Sequence, residues 1–132
     1  MSALSTLPNF LVYLLSAFAC ILLFITVYIR LTPFPEIKLI RSGNQAAATA
    51  FVGALIGYAL PLASAIAHST ALYDMLIWAL VGLAVQYCAH LATRLMIPSL
   101  NQDIHDNNKA MGIISAGLSI VFGMLNAACM VY

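Results

Sequence analysis

Gln86, His90 and Arg94 stand four residues apart, so on a helix they share one face. An amide, an imidazole and a guanidinium in line could carry protons or edge a water-filled vestibule, because polar groups inside a membrane are costly and often mark function. The plainer arrangement is preferred here. In it Arg94 reaches the lipid headgroups while Gln86 and His90 bond to a neighbouring helix. Asn126 is a second polar position within apolar sequence, close to Pro61 in the duplicated pattern set out below. Pro61 has no N–H, so the carbonyl of Gly57, four residues earlier, loses its helical partner. A carboxamide in lipid must find a partner, since leaving it unpaired costs several kcal/mol, roughly. Asn126 is therefore expected to donate to the Gly57 carbonyl, although the two differ in depth by about 7 Å at ~1.5 Å per residue.

Other chemistry finds little support. His68, His90 and His105 lie apart, and no Cys/His pair has ligand spacing, so no metal site is expected. The run Asp103-Ile104-His105-Asp106 reads as a solvated loop. Ser64, Ser115 and Ser119 have no partnered base, the apolar stretches contain no centrally placed carboxylate, and no Gly-rich phosphate loop occurs. No catalytic residue and no cofactor is expected, and the protein reads as a non-enzyme. Cys20, Cys88 and Cys129 read as small hydrophobes. A net charge of +1 argues against nucleic acid, which rewards dense Lys/Arg patches.

The elements that must position these residues follow from composition. The chain is 64% apolar and 7% charged, against an apolar share of roughly 45–50% in soluble domains. Four apolar stretches, Phe10–Ile29, Ala46–Ala67, Tyr73–Arg94 and Ala110–Val131, each supply the ~20 residues a membrane helix needs. The first has no cation before it and is too long for a signal peptide's core, so it is expected to be a mature membrane helix. Pro8, Pro33, Pro35 and Pro98 mark helix boundaries, and Pro61 falls inside the second helix. One transmembrane domain, residues 1–132, is expected.

A shift of 64 positions carries Arg30-Leu31 onto Arg94-Leu95, Ile40 onto Ile104, Asn44 onto Asn108, Ala46 onto Ala110, Gly53 onto Gly117 and Ala63 onto Ala127. This predicts an all-α membrane protein of four transmembrane helices, built as two tandem two-helix hairpins, residues 8–68 and 72–132. Each copy makes two crossings, so the repeat is parallel, with a pseudo-two-fold axis along the membrane normal. Asn44 and Asn108 are read as N-caps of the second and fourth membrane helices. Those two helices carry small residues four apart, with Gly53, Gly57, Gly117 and Gly123 assigned to helix packing at the centre. The symmetry breaks at Pro61 opposite Leu125, Leu62 opposite Asn126 and Thr26 opposite His90.

Charge gives a direction. Arg30, Lys38, Arg41, Arg94 and Lys109 all flank the first and third loops, and the second loop has no cation. Basic loops stay cytoplasmic, so both termini are expected to be periplasmic. Tyr13, Tyr73, Trp78 and Tyr132 then fall near the outer interface and Tyr28 near the inner one. The segments 36–41 and 99–106 read as short amphipathic turns in the membrane surface.

The segments 42–48 (SGNQAAA), 55–65 (LIGYALPLASA) and 125–130 (LNAACM) resemble the YjfL-like family of small bacterial inner-membrane proteins of unknown function. The resemblance covers essentially the whole chain. It implies four transmembrane helices in two repeated pairs and an inner-membrane location, and it brings no catalytic or binding residues. Two functions are expected on these grounds. The first is a structural or accessory subunit that contacts membrane lipids, forms a homo-oligomer and binds a protein partner. The alternative is a small channel or transporter, with the Gln86–His90–Arg94 face or the Gly57/Pro61/Asn126 region lining its path.

Overall fold

The computed structural model describes residues 3–32 and 35–131. Among these, the secondary structure is entirely helical: α1 (Ala3–Leu31), α2 (Glu36–Arg41), α3 (Gln45–His68), α4 (Leu72–Met96), α5 (Leu100–His105) and α6 (Lys109–Cys129). Four of them, α1, α3, α4 and α6, are long and apolar enough to cross a bilayer, with qualifying spans of 28, 24, 25 and 20 residues. α2 and α5 are single short turns of helix between crossings. Pro8 does not mark a boundary: α1 begins at Ala3 and runs through it. One missing N–H near a free helix end forfeits a single bond there, whereas an interior proline also strains the turns on both sides. Pro33 and Tyr132 lie outside the described residues. Tyr28 is buried among neighbouring helices.

The principal contact is between α3 and α6. Their facing positions are glycine, alanine and serine, which let the backbones touch. A Cβ added at Gly123 would collide with the Gly57 carbonyl and Cα, and one at Gly53 with the backbone of Ala116. At Gly112 it would stand 2.8 Å from the Cα of Ala46. Gly117 takes no part: it is exposed, and a Cβ there meets nothing within 4 Å. Its equivalence to Gly53 in sequence does not carry over, because the seam follows the stripe Gly112, Ser115, Ala116, Ser119, Gly123 and Asn126, to which Gly117 does not belong.

α3 is the central helix, buried on two sides, with α6 on one and α1 and α4 on the others. α4 turns one stripe inward, Met75, Ala79, Gly82, Gln86, His90 and Thr93. An aromatic stack fills the space between α1, α3 and α4: Phe24 lies 4.9 Å from Tyr58 and 5.5 Å from Tyr87, ring centre to ring centre. The hydroxyls of that stack close on carbonyls of other helices, Tyr58 on Ala79 at 2.9 Å and Tyr87 on Phe24 at 2.7 Å. These tyrosines thus satisfy their polar ends on backbone carbonyls of the bundle.

The two turns that lead into α3 and α6 are laid out alike at the 64-residue shift. Gly43 and Asn107 both take the left-handed conformation, with φ of 93° and 61°. Gly43 N donates to Ile40 O as Asn107 N does to Ile104 O, and Asn44 N to Leu39 O as Asn108 N does to Asp103 O. Each Asn side chain then caps its helix, Asn44 accepting from Ala47 N at 2.9 Å and Asn108 from Met111 N at 3.3 Å.

Candidate functional site

The Asn44 side chain does more than cap. Its amide donates to the carbonyls of Ile104 and His105 at 3.0 and 3.1 Å, and Asn107 Oδ1 accepts from Ala46 N. The start of α3 is thereby stitched to the end of α5. Asn108 is exposed, and its one side-chain bond here is the cap. Asn44→Ala is therefore expected to destabilise by about 2 kcal/mol and Asn108→Ala by about 1, because a cap is worth ~1 and buried side-chain bonds add to it. Equal losses in detergent unfolding would contradict the assignment.

Deeper in, the face Gln86–His90–Arg94 is arranged as spacing predicts, on the inner side of α4. Gln86 is fully buried, and its Nε2 donates to the Ser119 carbonyl of α6 at 2.9 Å. Its Oε1 has no partner. His90 is also buried, with Nε2 unpartnered and its ring 5.1 Å from that of Tyr28. Arg94 is partly exposed and donates to the Leu31 carbonyl at the end of α1, 3.2 Å away.

Asn126 is buried, but its partner is not the Gly57 carbonyl. Its Nδ2 donates to Gly82 O of α4 at 3.0 Å. The reason is steric: the Gly57 carbonyl is covered by Gly123, so closely that no side chain fits between. Gly82, also bare of a side chain, leaves its own carbonyl open to α6. Pro61 packs against Gly82, a Cβ there standing 3.2 Å from its ring. Gln86 and Asn126 thus fasten α4 to α6, while Gly57 and Gly123 belong to the α3–α6 seam.

Glu36 is the residue that sequence reasoning missed. The pattern of residues 36–41 reads as a surface turn, yet Glu36 is 1% exposed and both carboxyl oxygens lack a hydrogen-bond partner within bonding geometry. Burial pushes its carboxyl up from 4.5 to about 7, and the Tyr28 and Thr32 hydroxyls and the Arg94 charge only partly pull it back. A signal existed. Glu36 shares the inward face of α2 with Leu39 and Ile40, and the 64-residue shift sets it opposite Leu100, a buried leucine. Tyr28, Thr32, Glu36, Gln86 and His90 correspond to Ala92, Met96, Leu100, Leu22 and Thr26, so the polar column belongs to one side only. Beside it an open groove of about 410 Å³ is lined by Ile29, Pro35, Glu36, Ile37, Lys38 and Arg41. Among the described residues, no three His, Cys, Asp or Glu side chains gather as a metal site.

Residues 1–130 match the family model described as a Domain of Unknown Function (DUF350). The chain belongs to this family. Two curated DUF350-like relatives are the UPF0719 inner membrane protein YjfL of Escherichia coli strain K12 and of strain O157:H7. Each is 33% identical over 132 residues, covering all of both chains. The UPF0719 transmembrane protein YshE of Bacillus subtilis is 28% identical over 114 residues, 85% of each chain. No solved structure matches. The resemblance to the YjfL-like family therefore holds, and this DUF350 chain is a multi-pass inner-membrane protein.

Proposed function

We propose that the protein is a structural or accessory subunit of the inner membrane that works as an assembly, with other copies of itself and with a protein partner. The observation that carries this reading is the α3–α6 seam, where glycine, alanine and serine backbones touch from Ala46 to Gly57 and from Gly112 to Gly123. Contacts of that kind hold a rigid body together through dispersion and close approach. The polar side chains support the same view, since Gln86 and Asn126 are spent on carbonyls of neighbouring helices. On the outer side of the seam, Ala48, Thr49, Val52, Gly53, Ala116 and Ile120 border an open apolar groove of about 400 Å³. Its small residues suit the close approach of a helix from a second copy. In this reading the two hairpins are duplicated halves about an axis along the membrane normal, and their basic loops are cytoplasmic with both termini periplasmic. No catalysis is assigned to it.

A small channel or transporter is the second reading. It is favoured by the unpartnered atoms of Gln86 and His90, which together with Glu36 begin a polar line from the basic end. Native mass spectrometry from lipid nanodiscs separates the two when paired with ion and solute flux in proteoliposomes. A fixed multi-chain assembly without flux is the expected result. Saturable or selective flux, lost in His90→Phe, would replace the first reading with the second.

A further inference from the structure

Glu36 is the single glutamate of the chain. Its carboxyl is enclosed where α1, α2 and α4 meet, and neither oxygen receives a hydrogen bond. An ionised carboxylate accepts only, so in this place it would depend on the nearby Tyr28 and Thr32 hydroxyls and on the Arg94 charge. The neutral acid carries its own hydrogen and needs an acceptor. The Thr32 hydroxyl lies close to the carboxyl. Its own hydrogen already goes to the Tyr28 carbonyl at 2.6 Å, which leaves its oxygen free to accept. Thr32 would favour the carboxylate only by releasing that bond. Burial is what favours the protonated acid here, against those neighbours.

We propose that Glu36 is a reversible proton-binding site at the basic end of the bundle. The charged and titratable groups around it are specific. Tyr28 faces it from α1 and Arg94 from α4, with His90 one turn deeper against the Tyr28 ring. Lys38 and Arg41 of α2 line the same groove, and the first turns of α3, residues 45–51, carry no ionisable side chain. Burial holds the proton on while the Tyr28 and Thr32 hydroxyls and the Arg94 charge draw it off, which sets the exchange near neutrality. The groove gives the proton a way to and from water. A metal ion fits the place less well, since it asks for several further oxygen ligands and would sit beside Arg94.

The test needs no substitution, because glutamate labelling reports on Glu36 alone. The intact chain carrying glutamate labelled with carbon-13 at the side-chain carboxyl, held in lipid nanodiscs, is titrated by carbon NMR. The expected result is a reversible shift with its midpoint at about 7. In Arg94→Gln the midpoint is expected to move upward, as the loss of a neighbouring cation requires. A midpoint in the ordinary carboxylate range, or a carboxyl that stays ionised throughout, would overturn the proposal.

Discussion

Replacing Gly123 by alanine is expected to cost about 3 kcal/mol or more, the upper end of what overpacking does in a close-packed interior. The added methyl would fall on the carbonyl, carbon and Cα of Gly57. Backbone meets backbone there, so no side-chain rotation can relieve the clash, and α3 and α6 must part. Parting them also stretches the bonds from Gln86 to Ser119 and from Asn126 to Gly82, which cross between α4 and α6. Gly117→Ala is the matched control, because its Cβ would project into open space. It is expected to be neutral or slightly stabilising, through better helix propensity. Thermal unfolding in detergent, followed by circular dichroism, measures both. If Gly123→Ala unfolds with Gly117→Ala, the two helices do not touch as described.

Glu36→Gln carries the second large effect, and its sign depends on pH. The fold raises the carboxyl above its ordinary value of 4.5, so it favours the protonated form. The stability that comes from this is fully present below the ordinary value and is lost as pH rises through about 7. Glutamine imitates the neutral acid at every pH. The variant is therefore expected to match the parent near pH 4 and to exceed it at pH 8 by up to about 3 kcal/mol, at ~1.4 kcal/mol for each pH unit between the two values. Unfolding midpoints at several pH values check it. A variant less stable than the parent at pH 8 would mean that Glu36 is held ionised by its neighbours.

The four crossings were legible because a membrane helix leaves its length and its oil in the sequence. Small residues four apart marked α3 and α6, and asparagines before each marked the caps. The seam's membership was not fully legible. Gly117 matches Gly53 in the duplicated pattern, yet the two helices meet along a stripe that passes it by. Asn126 was rightly expected to need a partner across the bundle, but the choice of carbonyl rested on which one Gly123 leaves uncovered. Glu36 escaped because a charged residue in a loop usually faces water. The comparison that exposes it is the one between halves, since Leu100 holds the equivalent buried place. The polar column therefore gathers where the duplicated pattern is broken, at Glu36, Gln86 and His90.

Assembly is the central claim, and native mass spectrometry of the intact protein, released directly from lipid nanodiscs, tests it most directly. A discrete complex of more than one chain is expected, homomeric or with a partner at fixed ratio, weakened when Ala48 or Thr49 of the open groove is made bulky. A single chain carrying lipid alone, at every concentration and in every lipid tried, would contradict it.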